Sequence, residues 1–137
     1  FSCYRIYLYH PYQSFYFNIL TQKSIKDSLD VDYTGLSGLT FLKEVSNMEK
    51  NKNKIYVGIA SWYPLWRMTE LLDKKDRDRI IVLSNDDRHN SDYIYSNRIS
   101  DVDKKIYKKY SIPKNFKKIK EHIVDGAIIY EVYKRSE

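Results

Sequence analysis

The sequence holds a single cysteine, Cys3, which excludes an internal disulfide framework and any zinc site built from several thiolates. Four glycines and three prolines are too few for collagen-like or linker sequence. No long hydrophobic run is present. The longest stretch without a charge, Ile6 to Gln22, carries His10, Pro11, Gln13, Ser14 and Asn18, and is too polar to span a bilayer. A basic start, apolar centre and small-residue cleavage site do not occur in order, so no secretory signal is legible. The histidines His10, His89 and His122 lie far apart and outside any His-x-x-x-His spacing, and read as surface or hydrogen-bonded side chains. Neither G-x-G-x-x-G nor a P-loop occurs. Gly35-Leu36-Ser37-Gly38 misses the G-x-S-x-G elbow by one position.

What is there is a chain of 137 residues, enough for one domain and too short for two. Fourteen tyrosines, five phenylalanines and two tryptophans supply a core that a disordered tail lacks. Lysine and arginine exceed the acids by six, clustered at Lys50–Lys54, Lys104–Lys109 and Lys114–Lys120. Solvated faces account for such clusters, and attraction to phosphate is the functional alternative. No RNP pattern, zinc-finger spacing or KH loop accompanies them, so nucleic acid is not an expected partner.

The pattern along the chain predicts an α/β fold: three layers, a mostly parallel sheet flanked by helices, and a closing antiparallel β-hairpin. Residues 4–9 and 14–18 read as extended, 4–9 because tyrosines alternate with other residues in Tyr4-Arg5-Ile6-Tyr7-Leu8-Tyr9. A helix is expected from Ser37, as N-cap, to Lys50, burying Phe41, Leu42, Val45 and Met48. Ile55–Ala60 and Arg79–Ser84 are short apolar runs of the buried-strand type, and Asp92–Ser96 reads as a third strand. Pro64 opens a helix with Leu65, Met68, Leu71 and Leu72 on its inner face. Ser100-Asp101-Val102-Asp103 fits a capping box opening another. Asp125-Gly126 between Lys118–Val124 and Ala127–Lys134 is a two-residue hairpin turn.

Open α/β sheets bind ligands beyond the carboxyl ends of their strands. Those ends carry Ser61, Trp62 and Tyr63, then Asn85, Asp86 and Asp87, then Asn97 and Arg98. Flat aromatic faces beside acids and amides are the mixture a sugar site needs. The candidate ligand-binding residues are therefore Trp62, Tyr63, Asp86, Asp87, Asn97 and Arg98, and ordinary loop residues are the competing account. Asp30-Val31-Asp32 has the form of a metal-binding Asp-x-Asp. It lies in a polar stretch before the first buried strand, so no metal, no cofactor and no catalytic residue is assigned.

His10-Pro11-Tyr12-Gln13-Ser14-Phe15-Tyr16-Phe17-Asn18 resembles a segment of bacterial multi-spanning membrane glycosyltransferases of the GT-C type, similar to the dolichyl-phosphate-mannose protein mannosyltransferases. Asp32-Tyr33-Thr34-Gly35-Leu36-Ser37 resembles their Asp-Tyr-Trp-Gly-Leu-Ser segment, with Thr34 in place of Trp. Asp92-Tyr93-Ile94-Tyr95-Ser96-Asn97 resembles a family strand ending in Asn, and Val132-Tyr133-Lys134 the usual close. The signature residues are His10, Tyr12, Gln13, Tyr16, Asn18, Asp32, Tyr33 and Gly35, and a hydrogen bond between His10 and Asp32 would hold the segment down.

The resemblance implies that residues 1–137 form a single soluble domain, the C-terminal piece of a longer membrane protein. It places the domain on the extracytoplasmic face of the bacterial cytoplasmic membrane. The parent would move sugar from a polyprenyl-phosphate carrier, with its acidic catalytic residues outside this chain. The expected function is a non-catalytic accessory domain that aids binding of the glycan acceptor or the polyprenyl-phosphate-sugar. Its standing partner would be the membrane-embedded part of its own chain. The alternatives are a purely structural or interaction domain, a nucleic-acid-binding module and a free-standing enzyme.

Overall fold

Short runs rich in isoleucine and valine form the first two strands, because β-branched side chains pack well on a pleated surface. The computed structural model describes residues 4, 7, 8, 10, 32, 35–97, 110–124 and 126–136. In order these form helix α1 (Leu36–Met48), strand β1 (Ile55–Ile59), helices α2 (Trp66–Thr69) and α3 (Lys74–Arg77), strand β2 (Ile80–Val82), a 3-10 turn (Arg88–Asn90), and strands β3 (Tyr93–Asn97), β4 (Phe116–Val124) and β5 (Ala127–Arg135).

The strands make one five-stranded sheet in the order β2-β1-β3-β5-β4. β1 pairs in parallel with β2 and with β3, whereas β3–β5 and β5–β4 are antiparallel. The fold is α/β and ends in the expected hairpin, but the sheet is mixed rather than mostly parallel. The reason is the hairpin itself, which contributes two of the five strands. At its turn Gly126 takes φ 78°, which a residue without Cβ adopts at no steric cost.

Period two sorts the strand residues between the faces. Ile55, Val57 and Ile59 of β1 and Tyr93 and Tyr95 of β3 bury against Phe41, Leu42 and Val45 of α1 in the main core. Ala60, Ile94 and Phe116 form a second, smaller cluster, packed by Ile112 and Tyr133. Each fully buried large side chain contributes about 1.5–3 kcal/mol over its exposed state. Three rings knit α1 to the sheet: Phe41 lies 5.2 Å from Tyr95 and 6.3 Å from Tyr130, centroid to centroid, and the two tyrosines are 5.9 Å apart.

Several expectations shift. Tyr4, Tyr7 and Leu8 are helical and exposed, where alternation predicted a strand, since alternation within six residues does not by itself exclude a helical turn. Met48 is exposed at the end of α1, past the last buried positions, Val45 and Ser46. The helix expected after Pro64 breaks into the four-residue helices α2 and α3, leaving Leu71 exposed while Leu72 buries. The segments 14–18 and 100–103 lie outside the described residues.

Candidate functional site

The carboxyl ends of β1 and β3 lie side by side, because Ile59 registers with Tyr95 and the Ala60 amide donates to the Tyr95 carbonyl at 2.8 Å. Continuing that register sets Ser61 beside Asn97. The Ser61 hydroxyl donates to the Asn97 side-chain oxygen at 2.6 Å and accepts the Tyr63 amide at 3.1 Å. Alternation carries the Tyr95 side chain to the α1 face, where its hydroxyl meets the first turn of that helix. Tyr95 Oη lies 2.6 Å from Ser37 Oγ and donates to Asp32 Oδ2 at 3.0 Å. The Ser37 hydroxyl donates to the same Asp32 oxygen, and the Ser37 amide donates to Asp32 Oδ1 at 3.4 Å.

Asp32 is thus the hub of a polar network sealed from water: Asp32, Ser37, Ser61, Tyr95 and Asn97 are all buried. Burial pushes its carboxyl above the ordinary value of 3.8, while hydrogen bonds from Ser37, Tyr95 and Asn97 pull it back. The Tyr95 hydroxyl is driven well above 10.0 by the same burial and by the nearby Asp32 charge. A carboxylate at a helix N-terminus is also favoured by the helix dipole. Asp32 therefore takes the role expected of Ser37. Gly35 stands at the N-cap position without a side-chain bond, and Ser37 sits inside the helix.

Gly35 is required here twice over. Its φ is 67°, and a Cβ at this position would fall within the ring of Tyr63. The ring therefore lies flat on the Gly35 backbone, roofing the loop, and burial followed by the Asp32 charge raises the Tyr63 hydroxyl above 10.0.

Of the predicted crevice residues, Tyr63 and Asn97 join this network. Trp62 stands at its rim, 44% exposed, and Trp66 on α2 is 52% exposed with the Arg67 guanidinium 5.3 Å over its ring. Asp86 and Asp87 lie in the exposed turn after β2. There Asp87 accepts the Ser84 hydroxyl at 2.8 Å, and the Asp86 carbonyl lies 3.1 Å from His89 Nδ1. Arg98 lies outside the described residues. Among the signature residues, Asp32 and Gly35 are central to the network and His10 is exposed. Asp32 accepts hydrogen bonds from Ser37, Tyr95 and Asn97. Tyr12, Gln13, Tyr16, Asn18 and Tyr33 lie outside the described residues.

Sequence reasoning missed Ser37 and Tyr95 as members of the site. The available signal was the period-two placement of Tyr93, Tyr95 and Asn97 on one strand face. Chemically, Asp32, Ser37 and Tyr95 are spent on one another, and the exposed Trp62 and Trp66, with the half-buried Tyr63, follow Ser61 in sequence as an aromatic rim to this segment. Among the described residues no group of three or more His, Cys, Asp or Glu side chains is placed to hold a metal ion. No helix among them is long and apolar enough to cross a membrane. No protein-family model, no curated protein and no solved structure matches this chain.

Proposed function

We propose that this chain is a non-catalytic accessory domain of a bacterial membrane glycosyltransferase, held on the extracytoplasmic face, whose aromatic rim receives a glycan acceptor or a polyprenyl-phosphate-sugar. One observation carries the reading. Two of the four segments that bear the family resemblance, 32–37 and 92–97, are far apart in sequence yet meet at one point, where Tyr95 joins Ser37 and Asp32. A signature that converges in space behaves as a single structural unit. Its reactive groups are closed to solvent, which supports a role in binding and support rather than in chemistry.

The rim suits a sugar, since indole and phenol faces cover the apolar side of a pyranose while Ser61 and Asn97 fix the wall behind them. Four lysines among the described residues speak against nucleic acid. Lys52, Lys118, Lys120 and Lys134 each pair with a carboxylate of the same chain rather than forming an open stripe. The second core cluster around Ala60, Ile94 and Phe116 supports a third layer on that face of the sheet.

A specific observation favours the structural alternative as a second role. Tyr4, Tyr7 and Leu8 are helical and 54–79% exposed. An apolar surface of this kind suits packing against the membrane-embedded part of the same protein.

The chain has two tryptophans, Trp62 and Trp66, both exposed, so emission excited selectively at tryptophan reports this segment. Titration with a short-chain polyprenyl-phosphate-sugar should shift the emission to the blue and saturate, and Trp62→Phe should remove most of the change. An unmoved spectrum would overturn the binding role. The open reading frame upstream of the Phe1 codon should encode several apolar spans of about twenty residues. An unrelated domain there would overturn the glycosyltransferase reading.

A further inference from the structure

A second concave site lies at the opposite end of the sheet. Lys52 precedes β1, Asp92 precedes β3, Lys134 and Arg135 end the antiparallel strand β5, and Glu49 caps the C-terminus of α1. Together with Ser136 they line a cavity of about 510 Å³, within the size range of small-molecule sites. Its lining is almost wholly charged, which is unusual for a gap between packed elements.

The charges are layered. The carboxylates form the floor: Asp92 accepts the Tyr56 amide at 2.9 Å, and Glu49 accepts the Tyr93 hydroxyl at 2.6 Å. The cations are the more exposed members and form the rim. Lys52 reaches Asp92 at 2.6 Å, Arg135 reaches Asp92 at 3.4 Å and Lys134 reaches Glu49 at 3.3 Å. Among the described lining residues, three cations over two carboxylates leave one positive charge in excess. Donors are also in surplus. An ammonium carries three N–H groups and a guanidinium five. Lys52 gives one to Asp92, and Arg135 gives one to Asp92 and one to the Asn90 carbonyl. The Tyr93 hydroxyl, followed by Lys134, holds Glu49 below its ordinary value, so Glu49 stays ionised at neutral pH and keeps Lys134 in place.

We propose that this cavity binds a phosphate group, gripped by Lys52, Lys134 and Arg135. A forked guanidinium beside two ammonium groups matches the tetrahedral oxygens of phosphate, and a monoanion cancels the residual charge. The site is separate from the aromatic rim, so it stands or falls independently of the function proposed above.

The test is an amide NMR titration of the 137-residue chain with inorganic phosphate, at ionic strength held constant with sodium chloride. Saturable shifts are expected at Lys52, Asp92, Lys134 and Arg135, complete by about 10 mM, with affinity reduced about tenfold in Lys134→Gln. Lys134→Gln leaves the Asp92 pairs intact. Lys52→Gln provides a second variant, with spectral dispersion confirming the fold of each. Glucose 1-phosphate, with glucose as control, and vesicles of phosphatidylcholine with or without phosphatidic acid distinguish a soluble ester from a lipid headgroup. Saturable binding of either at this cavity supports the proposal. Shifts that stay linear in phosphate, or that are unchanged in both variants, overturn it.

Discussion

Gly35→Ala is the sharpest test of how the Asp32 loop is built. Two separate costs are predicted. Alanine at φ 67° pays for the left-handed conformation, about 1–2 kcal/mol. Its Cβ also occupies the space of the Tyr63 ring, which must swing off the backbone it roofs. Overpacking of this kind costs about 1–3 kcal/mol. The sum, about 3 kcal/mol, corresponds to a fall in melting temperature of about 10 °C for a domain of this size. Urea unfolding of four proteins separates the parts: wild type, Gly35→Ala, Tyr63→Ala and the double variant. In the Tyr63→Ala background the ring is gone, so Gly35→Ala should cost only the backbone part, about 1–2 kcal/mol. Gly35→Asn adds a check, because asparagine tolerates the left-handed region while its Cβ meets the same ring. Equal costs of Gly35→Ala with and without the Tyr63 ring would refute the roofed-loop account. So would a cost under about 0.5 kcal/mol in the wild-type background, the ordinary range of a surface substitution.

Tyr95→Phe removes the hydroxyl that joins Ser37 to Asp32 and should destabilise by about 2 kcal/mol in urea unfolding, since it strips a buried carboxyl of a partner. Asp32 binds its proton more tightly folded than unfolded, so its contribution is full below about pH 4 and is lost as pH rises through the raised folded value. Asp32→Asn should abolish that slope in a stability-against-pH series. His122 stacks on Tyr130 at 4.9 Å, and burial lowers its pKa from 6.5. Its contribution therefore runs the other way, present above about pH 6.5 and lost as pH falls, and His122→Gln should flatten that limb alone.

Much of the fold was legible because its signals are local. β1 and β2 are continuous apolar runs, and the turn at Asp125-Gly126 is dictated by two residues. The mixed sheet was not legible, because the pairing of β3 with β5 is set by packing between segments far apart in sequence. The break between α2 and α3 was hidden as well. Leu65, Met68, Leu71 and Leu72 have helical spacing, yet Leu71 faces solvent. The site divides similarly. Tyr63 and Asn97 followed from their place at strand ends, a topological rule. Asp32 sits in a polar stretch that reads as loop, and only the Asp-x-Asp form and the resemblance singled it out. Its burial depends on Tyr95, more than sixty residues away, and no local pattern records that.

Among the described residues the sheet ends in two edge strands of very different length. β2 offers three residues, too few to template another strand. β4 offers nine, long enough to recruit a second chain, but its pairing with β5 shifts register twice, near Lys118–Lys120 and at His122–Ile123. Lys117, Lys118 and Lys120 stand on it, exposed. A kinked margin lined with charged side chains spoils the straight ladder that fibril growth needs. Crowding on a surface, where neighbouring copies sit edge to edge, is the circumstance in which that margin matters most.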